Sequence, residues 1–285
     1  MVSAPRVVVA AIFSVYAVSV AAQSGLPTSQ PNFLTIVREE VKLGRTADHE
    51  RIEAGWPAAY EKAKSPDYYL AYVAATGRNE AWFITPYDSH KAMGDSMKRE
   101  SDDAMLSAEL KRLQRADGDV LTNLTTIQAM ARKDLSLGAF PDIAKTRFVE
   151  ITVFRVRPGH ERGFEEAAKA YGSAAKRSAP NTSFRVYEVM AGVPGPTYLV
   201  FSSTESFADF DRVLAEGMDT MKRASPEERN TLEKFSAEGL VNAETQRFSI
   251  NPAMSYVPKE VRSSDPAFWM PKKPAPAKAT TGGQQ

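Results

Sequence analysis

The three histidines of the chain are the side chains best suited to bind a metal ion or haem iron. His49 and His160 each begin a His-Glu-Arg tripeptide, and His90 stands alone. Neither tripeptide has the second histidine one turn later that a helical zinc motif needs, and the chain contains no cysteine. No strand-like segment supplies a histidine to a cavity either. We therefore predict that these histidines are exposed at helix starts and that the protein has no metal and no cofactor.

Acid–base chemistry could use carboxylates on strand-like segments of the chain. Glu39 and Glu150 lie on two such segments, and Arg185 lies on a third. A carboxylate in a partly apolar cavity has a raised pKa, which suits a general base. The alternative is a structural ion pair between glutamate and arginine. Without a Ser-His-Asp motif or a glycine-rich phosphate loop, the sequence assigns no catalytic residue.

Several aromatic side chains on neighbouring predicted strands could stack on an organic ligand. They could equally fill a core, because aromatic residues dominate protein interiors. Together with nearby polar groups they are the candidate ligand-binding residues of a cavity: Glu39, Tyr72, Trp82, Glu150, Thr152, Arg185, Tyr187 and Tyr198.

The charge balance of the 285-residue chain argues against nucleic acid as a partner. It carries 36 basic and 35 acidic side chains, and no basic stripe with interleaved aromatic residues stands out. An apolar content of 43% is typical of a globular protein with a real core.

The first 22 residues have the pattern of a secretory signal peptide. One arginine precedes an apolar run from Val7 to Val20, and Ala22 offers a small residue before a cut at Gln23. The alternative, a membrane anchor, needs about 20 apolar residues, which this run does not reach. The absence of cysteine excludes a lipoprotein anchor and disulfides. We predict an exported protein of a bacterial envelope, periplasmic or secreted, without stable membrane insertion.

Two parts of the chain repeat the same order of strands, turns and helices. "FLTIVREEVKLG" from Phe33 and "FVEITVFRVRPG" from Phe148 alternate as strands and end in a glycine turn. "HERIEAGWPAAYEKA" from His49 and "HERGFEEAAKAYGSA" from His160 follow with apolar residues at helical spacing. This alignment requires an insertion, "RTAD", before the first tripeptide, with Asp48 as the helix N-cap.

Each copy continues with a predicted hairpin, further helices and a last strand. Gly77 and Gly192 mark the hairpin turns. Ser225, followed by proline and two acids, is a strong helix start. The predicted order is β-α-β-β-α-β in both copies, over residues 33–135 and 147–255, which is the ferredoxin-like arrangement.

This element order resembles that of the dimeric α+β barrel superfamily, which includes antibiotic-biosynthesis monooxygenases and EthD-like and NIPSNAP-like proteins. The motifs that carry the resemblance are "VKLG" and "VRPGHE" before the first helix and "TYLVFSSTESFADF" before the second. It implies an α+β fold in which two tandem ferredoxin-like repeats close into one pseudo-dimeric barrel within the chain. It also implies a pocket between the two sheets for a small organic ligand, in a monomer or a weak homo-oligomer.

Side-chain alternation predicts which residues face that pocket. On the fifth strand we assign Val149, Ile151 and Val153 to the helix side and the opposite row to the interior. On the other strands we assign these residues to the interior: Thr35, Val37, Glu39, Tyr72, Trp82, Arg185, Tyr187 and Tyr198. An error of one residue would reverse any of these assignments.

The C-terminal segment, residues 263–285, divides into an apolar and a polar part. Phe268, Trp269 and Met270 are expected to dock on the preceding domain, or alternatively to bind a partner. The residues after Met270 are rich in proline, alanine and lysine and are predicted to be disordered.

Two functions fit these patterns. The first is an exported protein that binds a small organic molecule, aromatic compounds included, between the sheets without catalysis. The alternative is a cofactor-independent monooxygenase that orients an aromatic substrate with Tyr72, Trp82, Arg185 and Tyr187. Both require a cavity of at least about 300 Å³ between the sheets; a filled interior removes both.

Overall fold

The structure, a computed structural model, describes residues 25–270 of the chain. The strands are β1 (Phe33–Val41), β2 (Leu70–Ala74), β3 (Glu80–Tyr87), β4 (Leu121–Ala131), β5 (Phe148–Val156), β6 (Arg185–Ala191), β7 (Thr197–Thr204) and β8 (Leu240–Ile250). The helices are α1 (Thr46–Glu53), α2 (Gly55–Ala63), α3 (His90–Asp102), α4 (Ala104–Gly118), α5 (Glu161–Ser178), α6 (Asp209–Arg223), α7 (Pro226–Lys234), α8 (Lys259–Ser264) and α9 (Pro266–Trp269). A π-helical turn, Phe235–Gly239, follows α7.

The eight strands form one closed antiparallel barrel in the order β1-β3-β2-β8-β5-β7-β6-β4. The first half of the chain contributes four neighbouring strands, β4-β1-β3-β2, and the second half contributes β8-β5-β7-β6. Backbone hydrogen bonds join the halves at two seams, β2 with β8 and β4 with β6. The predicted α+β class and closed interior are confirmed.

Apolar side chains from both halves fill the barrel. Trp82, Phe248, Ile36, Ile151 and Leu199 are almost completely buried in its centre. Separate apolar clusters lie outside the barrel, one under α1, α2 and α4 of the first half and one under α5 of the second. The barrel wall therefore has an apolar inner face and an outer face that the helices cover.

The predicted facing of β1 and β5 is wrong. Val149 and Ile151 belong to the interior cluster, and Val153 packs against it, whereas Thr152 and Phe154 lie on the helix side. Thr35, Val37 and Glu39 on β1 are on the helix side as well, because side chains alternate and Leu34 and Ile36 point inward. Aliphatic residues suit either face of such a wall, so alternation alone did not fix the direction.

The two His-Glu-Arg tripeptides are not equivalent in the structure. In both halves a glycine turn leads directly into the helix, with matching hydrogen bonds from Arg45 N to Lys42 O and from His160 N to Arg157 O, both 3.0 Å. Position 45 therefore corresponds to position 160, and His49 corresponds to Phe164. The predicted insertion is wrong, and the tripeptides are offset by about one helical turn.

Of the two predicted helix N-caps, Ser225 is confirmed and Asp48 is wrong. The Ser225 hydroxyl accepts a hydrogen bond from Glu228 N, and the Glu228 side chain accepts one from Ser225 N, which completes a capping box on α7. Asp48, predicted as an N-cap, lies within α1 and pairs with Arg45 and Arg51.

The end of the described chain, residues 263–270, docks on the barrel. Trp269 is buried, and its indole Nε1 donates to Ala144 O at 3.0 Å. Arg147 holds this segment against the barrel. It forms an ion pair with Asp265 at 2.5 Å, and its guanidinium carbon lies 3.9 Å from the centroid of the Phe268 ring. The predicted tail beyond Met270 and the predicted signal peptide lie outside the described residues. Within residues 25–270 no helix has the length and apolarity to cross a membrane.

The seam between β4 and β6 depends on a glycine conformation, which gives a testable prediction. Gly192 has φ +104°, and a Cβ there would collide with the Thr126 carbonyl oxygen of β4. We expect Gly192→Ala to lower the free energy of unfolding by about 1–3 kcal/mol in urea denaturation, because both the backbone and the seam are strained. Gly172→Ala, in an open position of α5, is the control and should leave stability unchanged or slightly raised. Equal effects of the two substitutions would contradict the prediction.

Candidate functional site

Four of the eight predicted ligand-binding residues lie in the barrel interior. Tyr72, Trp82 and Tyr187 are buried in the interior cluster, and Arg185 lies at one end of the barrel. The Arg185 guanidinium donates to the carbonyl oxygens of Gly138 and Ala139. These side chains pack against protein groups on nearly all sides.

A cavity of about 70 Å³ at this end of the barrel is lined by Tyr72, Arg185 and Tyr187. Residues 26–31 and 140–143 cover it. Small-molecule sites usually have volumes of about 300 Å³ or more, so this space is too small for an aromatic ligand. The predicted pocket between the sheets is therefore wrong, because the two inner faces pack against each other.

The other four predicted residues, Glu39, Glu150, Thr152 and Tyr198, lie on the outer face of the barrel. Tyr198 stacks on Phe164 of α5 with ring centroids 3.9 Å apart. Its neighbour Leu199 takes the interior position, because the β6–β7 hairpin is two residues longer than the β2–β3 hairpin. The sequence comparison of Trp82 with Tyr198 missed this difference in length.

A cavity of about 330 Å³ lies between the outer face of β5, β6 and β7 and the helices of the second half. Glu150 and Thr152 are among its lining residues. Its walls are mainly apolar, with contributions from the strands, α5, α6, α7 and the turn after α7: Phe154, Phe164, Ala167, Ala168, Phe184, Val186, Val200, Val213, Leu232 and Phe235. This volume is sufficient for a small organic molecule, and we take it as the candidate functional site.

The corresponding space in the first half is filled. Phe83 pairs with Val37 on β1, as Val200 pairs with Thr152 on β5, so a phenylalanine occupies the position of Val200. Helix α4 also buries three leucines against the sheet, Leu106, Leu110 and Leu113, whereas the shorter α7 buries no side chain. The cavity exists because the second half has smaller strand residues and less helix cover.

The charged groups at the edge of the cavity are all paired. Glu150 accepts from Arg247 at 2.9 Å, and Arg212 donates to Glu216 at 2.9 Å. The Thr182 hydroxyl also donates to Glu216, at 2.7 Å. With its charges compensated, the site favours a neutral ligand over an ion.

The phenol of Tyr171 is the aromatic hydroxyl of the cavity. Burial raises its pKa above the ordinary value, although a hydrogen bond to Thr220 acts in the opposite direction. The hydroxyl therefore stays protonated at neutral pH and can donate or accept a hydrogen bond. Sequence reasoning missed Tyr171 as a site residue, because its helical spacing indicated only a packed face.

Glu39 belongs to a different arrangement, a buried polar cluster under α1. His49, predicted to be exposed, is only 2% exposed, and its Nε2 lies 2.8 Å from Glu39 Oε2. Burial, and then the charges of Glu39 and Asp117, raise the pKa of Glu53 well above its ordinary value. Burial likewise raises the pKa of Asp117, to about 6. The sequence signal for this cluster was a histidine three residues into an amphipathic helix.

No family model matches the sequence, and no curated protein matches it. Among solved structures, the chain is similar to a candidate monooxygenase of Fusobacterium nucleatum subsp. nucleatum, with a TM-score of 0.51 and 12% identity over 78% of this chain and 93% of that one. It is also similar to an anthrone oxidase-like protein, with a TM-score of 0.51 and 12% identity over 79% and 93% of the two chains. At this identity the similarity shows the fold alone, a barrel of antiparallel strands covered by helices.

Filling the cavity should stabilise the protein. Val200→Phe introduces the residue that the first half has at the matching position, so it buries additional apolar surface without displacing a packed group. We expect the free energy of unfolding to rise by about 0.5–2 kcal/mol in urea denaturation. Ile151→Phe, in the packed interior, is the control and should cost about 1–3 kcal/mol. Destabilisation by both substitutions would show that the second-half space is already full.

Proposed function

We propose that the protein binds a small, neutral and mainly apolar organic molecule in the cavity of its second half. The observation that carries this proposal is the contrast between two matching places on one barrel. Phe83 and the leucines of α4 fill the space in the first half, whereas the second half leaves about 330 Å³. An apolar space of this size that the same fold fills elsewhere is a suitable ligand site.

The lining defines the chemistry of this ligand. Phe154, Phe164 and Phe184 present rings to the cavity, and Phe235 closes one side of it. Aromatic rings favour a ligand that contains a ring, through offset or edge-to-face contacts. Tyr171 supplies a polar group at one wall, so the ligand is expected to carry a hydroxyl or carbonyl oxygen.

The names of the two structural neighbours, a candidate monooxygenase and an anthrone oxidase-like protein, are compatible with a small-molecule ligand. Binding without turnover fits the present site better than oxidation does. Each charged group at its edge is committed to an ion pair. The four residues on which the monooxygenase alternative relies lie in the barrel interior, beside a cavity of only about 70 Å³.

We further propose that residues 33–135 and 147–255 are tandem ferredoxin-like repeats of common origin. The support is the matching strand order and pairing register of the two halves and the matching turns before α1 and α5. One chain then supplies both halves of the barrel, so closure requires no second subunit. We also propose that the chain is related to EthD-like and NIPSNAP-like proteins. A separate proposal is that the chain is exported.

Binding can be tested with 2-naphthol, a neutral fluorescent ring compound with one hydroxyl. We expect it to raise the melting temperature of the full chain and to change fluorescence on titration. Val200→Phe should abolish both responses, because the added ring occupies the site. Leu199→Met is the matched control, since Leu199 is next in sequence but points into the barrel, and it should bind as the original protein does.

Two results would contradict the proposal. One is the absence of any response to 2-naphthol or a panel of similar neutral ring compounds. The other is binding that survives in Val200→Phe. An oxygen electrode separates binding from oxidation. If the protein consumes oxygen with hydroxylated aromatic compounds and Tyr72→Phe abolishes this consumption, the result would instead support the monooxygenase alternative at the barrel interior.

Export is tested by the N-terminus of the mature protein. When the full chain is expressed in a Gram-negative bacterium, we expect the periplasmic fraction to contain protein that begins at Gln23, as measured by intact-mass spectrometry. Replacing two valines of the apolar run, Val8 and Val9, by aspartate should retain the uncleaved chain in the cytoplasm. Uncleaved protein in the cytoplasm with the unaltered sequence would contradict export.

A further inference from the structure

The buried polar cluster under α1 brings a histidine and three carboxylates into one small space. His49, Glu39, Glu53 and Asp117 are each at most 5% exposed. Ligand atoms of Glu39, His49 and Glu53 all lie within 4.8 Å of one another. Asp117 lies beside Glu53, and it accepts a hydrogen bond from Trp56 Nε1 at 3.4 Å.

Several oxygen atoms of this cluster lack partners. Glu53 Oε1 and Asp117 Oδ1 are buried without a hydrogen bond to any of residues 25–270, and so is the hydroxyl of Tyr69 nearby. An unpaired buried polar atom costs about 1–3 kcal/mol, and an unpaired buried charge costs more. No lysine or arginine is paired with Glu39, Glu53 or Asp117 in that part of the chain. The cluster therefore offers buried carboxylate oxygens without a cationic partner, which a bound metal ion would supply.

The barrel fold does not require this polar cluster. In the second half Phe154 and Phe164 stand at the positions of Glu39 and His49, with ring centroids 5.6 Å apart, and Ala168 stands at the position of Glu53. At these positions of the second half, apolar residues take the place of the polar cluster, so the fold does not need polar groups there. A buried set of polar residues that an apolar set could replace indicates a role other than folding.

We propose that His49, Glu39 and Glu53 form a binding site for a divalent first-row transition-metal ion, with Asp117 as a further ligand or as acceptor for a metal-bound water. Imidazole suits Zn²⁺ and Fe²⁺, and carboxylates suit Mn²⁺, so this mixed set selects such ions over Mg²⁺. Two ligands of one ion lie at most about 4.2 Å apart at usual bond lengths. The observed spacing needs only small side-chain movements to reach that geometry.

The ion would replace the direct contact between His49 and Glu39 and would give a partner to the free oxygen of Glu53. Because each of these residues is buried, metal is expected to enter as the protein folds rather than from the surface of the folded chain. The site would connect β1, α1 and α4, which carry Glu39, the pair His49 and Glu53, and Asp117 respectively. Metal would then stabilise the first half, independently of ligand binding in the second.

The proposal is tested on the full chain by metal analysis and melting temperature. Protein is refolded from denaturant with EDTA, or with Zn²⁺, Mn²⁺ or Mg²⁺, and then freed of unbound ions. We expect inductively coupled plasma mass spectrometry to find close to one Zn²⁺ or Mn²⁺ per chain. The melting temperature should be several degrees higher than that of protein refolded with EDTA. Mg²⁺ should give neither effect.

Two substitutions and one control locate the ion. Glu53→Gln keeps the shape of the side chain and replaces an acidic group that is costly to bury, so it should fold at least as well as the original protein in EDTA and lose the metal-induced shift. His49→Gln should lose bound metal as well. His160→Gln, which alters the other His-Glu-Arg tripeptide, should keep both metal and shift.

Three outcomes would overturn the proposal: protein refolded with Zn²⁺ or Mn²⁺ that retains no metal and melts as in EDTA; metal retention that Glu53→Gln leaves unchanged; or equal effects of Mg²⁺ and Zn²⁺, which would indicate carboxylate binding without the histidine. Because 2-naphthol binding is measured separately, a negative result for one of the two proposed sites does not contradict the other.

Discussion

Closure of the barrel at its two seams is the constraint on which the rest of the structure depends. Each four-stranded sheet has a face that its own helices do not cover, and water contact there would be costly. Pairing of β2 with β8 and of β4 with β6 lets the two faces bury each other. The interior must then be packed with large apolar side chains such as Trp82 and Phe248, which leaves little room for a ligand between the sheets.

The two halves therefore differ in chemistry on the outer face of the barrel, between the strands and the helices. Two matching spaces between strand and helix have different contents: one contains aromatic and leucine side chains beside a buried polar cluster, and the other contains a cavity. The difference depends on a few residues, notably Phe83 against Val200 and Glu39 against Phe154. Since the barrel packing is unaffected by these positions, each half can carry its own site.

The order of elements could be predicted from sequence because it depends on local properties. Glycine turns, the capping box at Ser225 and the alternation of strand residues are determined within a few positions of the chain. The closed barrel also followed, since two sheets with uncovered faces in one chain can satisfy each other. Half of the candidate site residues, such as Tyr72 and Trp82, were likewise placed on the correct face.

Only the tertiary structure decided which face of the barrel each side chain takes, which residues of the two halves correspond, and where the cavities lie. Val149, Ile151 and Val153 would suit either side of β5, so only contact with the opposite sheet turns them inward. The shared tripeptide made His49 look equivalent to His160, whereas the turn hydrogen bonds match it to Phe164. The sequence by itself determined which segments form strands and helices, because those preferences are local. What each side chain meets across the wall depends on residues far apart in the chain, and only the folded structure brings them together.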